Sequence, residues 1–148
     1  MRAFTAAAVQ IAPLPGPVTP QLVAANGAKG AEWARRCVEG TGAELVVLPE
    51  TASTGFVTDL GPEDLWDLVT AVPGPVTEPL QEAARDLGVH LVWGTYERGA
   101  ERGVVHNASV LIGPDGAVLG VYRKTHPFCT ELRSRGGWVT AGDEVSVV

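Results

Sequence analysis

Two apolar runs in this chain end on a side chain that could do chemistry. Leu45-Val46-Val47-Leu48-Pro49 leads into Glu50, and Val121-Tyr122-Arg123 leads into Lys124. A carboxylate just past the carboxyl end of a buried strand stands where ligands of open α/β sheets bind. Partial burial there is expected to raise its pKa toward the range of a general base. An ammonium at the end of a second strand could stabilise a developing oxyanion. Each residue also has a plain structural reading. Glu50 could be an ordinary turn carboxylate, and Lys124 could simply keep its ammonium in water.

Other reactive side chains are few. The two cysteines, Cys37 and Cys129, make no disulfide framework. Cys37 falls on a helical stretch and reads as a small apolar residue. Cys129 lies five residues past Lys124 in a loop and reads as a poor candidate for a nucleophile. With His90, His106 and His126 the cysteines show no metal-ligand spacing. His106 and His126 read as hydrogen-bonded strand-end or loop residues, and Asn107 as a residue that satisfies local backbone. Tyr96, Trp93 and Trp138 could line a pocket, with core packing preferred for Trp93.

The elements that must position Glu50 and Lys124 follow from periodicity and punctuation. Residues 4–12 read as a fully buried strand stopped by Pro13, Pro15 and Gly16. Residues 18–39 turn helical, with Val23, Gly27, Ala31, Ala34 and Val38 on one face and Asn26, Lys29, Glu32 and Arg36 on another. Residues 44–48 form a buried strand, ended by Pro49. A helix over 62–70 opens on Pro62, and a second over 78–87 is capped by Thr77 and closed by Gly88. Strands follow at 90–98, 104–112 and 117–123, the last two joined by the tight turn Gly113-Pro114-Asp115-Gly116. Residues 125–144 read as a long loop, and 145–148 as the start of another strand. Alternation of strands and helices followed by a meander predicts an α/β fold with a mixed sheet and a single domain over 1–148.

Composition excludes several classes. Hydrophobic residues make up 45% and charged residues 19%, as in a globular chain. The net charge of −6 argues against nucleic acid or an anionic membrane as partner. The N-terminal run is interrupted by Gln10 and Pro13, so it reads as a strand and not a signal segment. No apolar run approaches the ~20 residues that span a bilayer. Few cysteines and no leader place the chain in the cytoplasm.

Taken in order, several motifs resemble the nitrilase, or carbon–nitrogen hydrolase, superfamily. They are Ala8-Val9-Gln10, Leu48-Pro49-Glu50 with Gly55-Phe56, Pro73-Gly74-Pro75, and Val92-Trp93-Gly94-Thr95. They continue through Asn107-Ala108-Ser109-Val110-Leu111-Ile112 and Pro114-Asp115-Gly116 to Tyr122-Arg123-Lys124-Thr125-His126. The resemblance covers nearly the whole chain. It implies an α-β-β-α sandwich and hydrolysis of a non-peptide C–N bond in a small amide, carbamoyl compound or nitrile, without cofactor or metal. Tyr122 through His126 with Phe128 leans toward the amidase-like branches.

By the same resemblance Glu50 is the general base, Lys124 supports the tetrahedral intermediate, and Glu131 is the best match to a second glutamate near the site. Glu131 could also be a solvated loop acid. The cysteine nucleophile is expected after one more strand, beyond Val148, so the chain alone is expected to be inactive. Its strands are expected to supply only part of each of the two sheets, leaving edges and apolar faces that favour a homo-oligomer. The alternative is a non-catalytic homologue or fragment that acts as a scaffold or subunit.

Overall fold

The structure, a computed structural model, describes residues 3–57 and 59–145. The expected strand at 145–148 lies, apart from Val145, outside the described residues. The elements run β1 (Ala6–Ala8), α1 (Pro20–Thr41), β2 (Leu45–Val47), α2 (Pro62–Leu68), α3 (Glu78–Leu87), β3 (His90–Arg98), β4 (Val105–Ile112) and β5 (Val118–Arg123), followed by a 3₁₀ turn at Arg133–Arg135. All five strands form one sheet in the order β1-β2-β3-β4-β5. β1, β2 and β3 pair in parallel, and β3, β4 and β5 pair antiparallel. Among the described residues the strands thus lie in one sheet, where part of each of two sheets was expected. Parallel neighbours here are joined through helices, and the β3–β4–β5 meander pairs through short turns, so each strand finds its sequence neighbour.

α1 starts where Thr19 Oγ1 accepts the Leu22 N–H at 3.1 Å, with Pro20 in its first turn. It ends at Gly42, whose φ of 66° is left-handed and whose N–H reaches the Val38 carbonyl. Its buried stripe is Val23, Asn26, Gly27, Gly30, Ala31 and Ala34. Gly30 is there because a Cβ would stand 2.5 Å from the Trp93 ring. Asn26 belongs to this buried stripe and not to the polar face expected of it. Its amide serves two backbone groups, donating to Ser53 O at 2.8 Å and accepting from Leu14 N at 2.7 Å. Thr77 holds the N-cap position of α3 as expected, but its side chain makes no capping bond to the helix N–H groups. It is itself helical, and its hydroxyl accepts the Gly74 N–H at 3.0 Å.

α1 and α3 cover one face of the sheet, packing Ala31, Ala34, Leu80, Ala83 and Ala84 over Val46, Leu91, Trp93, Val110 and Ile112. A second cluster at the far end of the β3–β4 hairpin joins Leu65 and Val69 of α2 to Tyr96, Val105, Trp138 and Val139. The 125–144 segment is thus anchored by Trp138 and Val139. β1 is not the fully buried strand expected. It is a three-residue edge strand, exposed at both ends, because only β2 pairs with it.

Strand alternation turns Val47, Val92, Leu111 and Tyr122 to the face opposite α1 and α3. Val47 and Tyr122 are exposed there, and Val92 and Leu111 are half-buried. Apolar area left in water costs about 25 cal/mol per Å² relative to burial. The 148-residue chain is therefore expected to bind a hydrophobic dye and to self-associate on concentration. Ultracentrifugation showing a monomer at all concentrations, with no dye fluorescence, would contradict this. No helix among the described residues is long and apolar enough to cross a membrane.

Candidate active site

β2 delivers Glu50 through a turn laid across β3. Leu48 N–H bonds Val92 O and Ala52 N–H bonds Gly94 O, both at 2.9 Å, so the 49–51 backbone bridges over Gly94. Only glycine permits that approach, since a Cβ at 94 would sit 2.6 Å from Glu50 Cα. Thr51 has a φ of 48°, a left-handed conformation costly for a β-branched residue. The surroundings hold it. Its carbonyl accepts the N–H groups of Thr54 and Gly55, while Asn26 and Thr95 grip Ser53 from the helix and the sheet.

Lys124 stands one residue past β5, and its N–H extends the ladder to Asn107 O at 2.8 Å. Its Nζ donates to Glu50 Oε1 at 2.7 Å and to Glu131 Oε2 at 3.4 Å. Glu50 and Lys124 thus meet at one end of the sheet although 74 positions separate them. Glu131 is wholly buried, not a solvated loop acid. Its Oε1 accepts from Asn107 Nδ2 at 2.7 Å and from the Tyr96 hydroxyl at 3.4 Å, and its Oε2 from the Phe128 N–H at 3.2 Å. Asn107 Nδ2 also donates to Glu50 Oε1 at 2.7 Å.

The electrostatics differ from expectation at Glu50. The Lys124 hydrogen bond holds its carboxyl below the ordinary value of 4.5, outweighing burial, with Asn107 and the Lys124 charge adding to the lowering. Its side chain is 57% exposed, so desolvation raises it by less than the Lys124 hydrogen bond lowers it. Burial pulls Lys124 down, but the hydrogen bonds and charges of Glu50 and Glu131 together leave it above its ordinary 10.5. Burial, reinforced by both glutamates, pushes the Tyr96 phenol far up and keeps it a donor.

A pH dependence follows. Glu50 titrates lower in the folded chain than in the unfolded one, so its contribution to stability is present above about pH 4.5 and is lost as pH falls through the lower folded value. The Lys124 contribution is present below pH 10.5 and is lost as pH rises through its higher folded value. Thermal melts of the wild type and Glu50→Gln should differ near neutrality and converge on acidification below pH 4.5. A gap that widens with acid would refute the assignment.

A cleft of about 440 Å³ opens beside these groups, lined by Glu50, Lys124, Asn107, Tyr122 and His126 over Val47 and Val92. Neither cysteine lines it. Cys129 is exposed, and Cys37 packs against the helix–sheet core. His106 Nδ1 meets Thr140 O at 2.9 Å, and His126 Nδ1 meets Thr125 Oγ1 at 2.9 Å. Trp93 is core, and Trp138 sits edge-on to Phe56 at 5.5 Å. No group of three or more His, Cys, Asp or Glu among the described residues is placed to hold a metal ion.

The sequence reading missed Asn107 and undervalued Tyr96. Asn107 bonds two side chains from other elements, not local backbone. The signal was the period of two: Tyr96 and Asn107 are cross-strand partners on the face that carries Gly94 and Ser109.

Residues 5–143 match the family described as carbon-nitrogen hydrolase. Over 91 residues the chain is 41% identical to a nitrilase of Pyrococcus abyssi, covering 61% of this chain and 33% of that one. Over 87 residues it is 33% identical to an omega-amidase NIT2 of Pongo abelii, covering 59% of this chain and 30% of the relative. Among solved structures it is similar to an amidase from Nesterenkonia sp., with a TM-score of 0.66 and 24% identity over 93% of this chain and 48% of that one. Nit3 of Saccharomyces cerevisiae gives a TM-score of 0.66 at 22% identity, over 91% of this chain and 48% of its own. At such identities the likeness is one of fold, and the mixed sheet with its helices is the α/β arrangement of those chains. The chain spans about a third of the length of the curated relatives and about half of the solved ones.

Proposed function

The chain belongs to the carbon–nitrogen hydrolase family, and on that premise we propose that it carries the acid–base and charge-stabilising part of a site that hydrolyses a non-peptide C–N bond. The substrate class is a small amide, carbamoyl compound or nitrile. The observation that supports this most is the convergence of Glu50, Lys124 and Glu131 beside one cleft, with Lys124 Nζ in contact with both carboxylates.

Glu50 takes the proton of a cysteine thiol, and the thiolate attacks the carbonyl carbon. The carbonyl electron pair moves onto oxygen, where the Lys124 ammonium stabilises it. Collapse expels the amine, which leaves with the proton returned by Glu50. A water, deprotonated by Glu50, then cleaves the thioester and restores the thiol. With a nitrile the thiolate adds to carbon and the nitrogen takes the proton, giving a thioimidate; one water adds and ammonia leaves to give the thioester, which a second water hydrolyses. Glu131 touches Lys124 and holds its ammonium at the cleft. The low pKa of Glu50 describes the pair with Lys124 at rest. Contact between Lys124 and a developing oxyanion weakens that pair and raises the basicity of Glu50 at the moment of transfer.

The thiol comes from polypeptide outside these 148 residues, since neither Cys37 nor Cys129 lines the cleft. The chain alone should therefore hydrolyse neither amides nor nitriles. Assembly with the segment that supplies the cysteine should give turnover. Turnover by the 148-residue chain, abolished in Cys129→Ala, would show that the nucleophile lies within it. No turnover in any assembly would favour a scaffold or subunit role.

A further inference from the structure

Asn107 has no part in the chemistry above, although it hydrogen-bonds Glu50, Lys124 and Glu131. It lies on β4, 4% exposed. An amide nitrogen has two hydrogens, and here they go to different carboxyl groups. One is Glu50 Oε1, from the turn after β2, and the other is Glu131 Oε1, from the segment after β5, each at 2.7 Å. Its carbonyl oxygen on the main chain accepts the Lys124 N–H. The position of Asn107 is set by the β3–β4 ladder, where Tyr96 is its cross-strand partner.

We propose that Asn107 is a positioning residue that fastens Glu50 and Glu131 to one neutral donor and so keeps the exposed Glu50 side chain at the cleft. A second lysine between the two carboxyl groups would compete with Lys124 for the developing oxyanion. A neutral amide supplies one hydrogen bond to each carboxyl and adds no charge. The groups that face Glu50 are Lys124 and His126 from β5 and its loop, Asn107 and Tyr96 from the hairpin, and Glu131. Among these Asn107 adds a hydrogen bond that favours the charged form of Glu50 without titrating itself. This inference rests on the reading of Glu50 as the base.

The test is a titration of the 148-residue chain by NMR, following the Glu50 carboxyl carbon and the Asn107 side-chain amide. In the wild type the amide resonances should move with the same midpoint as Glu50. In Asn107→Leu, which keeps the bulk and removes both donors, the Glu50 midpoint should rise. Asn107→Asp should raise it as well. In the assembled enzyme both variants should lower kcat and leave KM nearly unchanged, and Asn107→Asp should recover part of its kcat at acid pH, where a protonated carboxyl donates again. Amide resonances that stay still while Glu50 titrates in the wild type would overturn the proposal, and that measurement needs no variant to fold. An unmoved Glu50 midpoint in folded Asn107→Leu would overturn it too. Full turnover in Glu50→Gln with the expected titration would remove the base and leave the clasp standing.

Discussion

Glu50→Gln is expected to lower kcat of the assembled enzyme by about 10²–10⁴-fold, the usual contribution of a positioned acid–base group. Glutamine keeps the length of the side chain, and its amide oxygen can still accept from Lys124 and Asn107. It cannot take a proton. The substrate-binding face of the cleft is unchanged, so KM should hold. Lys124→Met should lower kcat by about 10²–10³-fold through loss of the oxyanion partner. It should also release Glu50, whose carboxyl would titrate higher without the Lys124 hydrogen bond. Steady-state kinetics on an amide and a nitrile check both variants. A Glu50→Gln enzyme within a few-fold of wild type would remove Glu50 from the chemistry and leave its pair with Lys124 as structure only.

Gly94→Val should damage fold and site together. The turn that carries Glu50 lies directly on the β3 backbone, and a Cβ there meets Pro49 O and Glu50 Cα rather than a flexible side-chain tip. Backbone cannot yield as a side chain does, so the overpacking should cost about 1–3 kcal/mol. For a chain of this size that is roughly 2–4 °C of Tm per kcal/mol. The displaced turn should cost turnover comparable to Glu50→Gln. Gly40→Ala is the control, since a Cβ at 40 meets nothing within 4 Å and the site is in a helix. It should leave Tm unchanged or raise it. Equal Tm for Gly94→Val and wild type would mean that the Glu50 turn does not need the glycine.

The sequence by itself determined most of the helices and strands and the two polar residues, Glu50 and Lys124, that end apolar runs. α3 spans 78–87 and β3 spans 90–98, as periodicity and the Gly88 stop predict. Helix punctuation is a property of a few adjacent residues, so it can be read without the fold. Glu50 and Lys124 were legible for the same reason, each being the polar residue that ends an apolar run. Only the tertiary structure decided what those residues touch. Asn107 read as an amide that satisfies local backbone until sheet register set it opposite Tyr96 and between two carboxylates 57 and 24 positions away. Glu131 sits in a segment with no period, and its burial depends on Trp138 and Val139 packing under α2. The low pKa of Glu50 reversed the expected direction because the Lys124 hydrogen bond at 2.7 Å outweighs partial desolvation, and no sequence pattern encodes that distance. Pairings between strands are set by the burial of whole faces. The chemistry of the cluster therefore appears only when the sheet has formed.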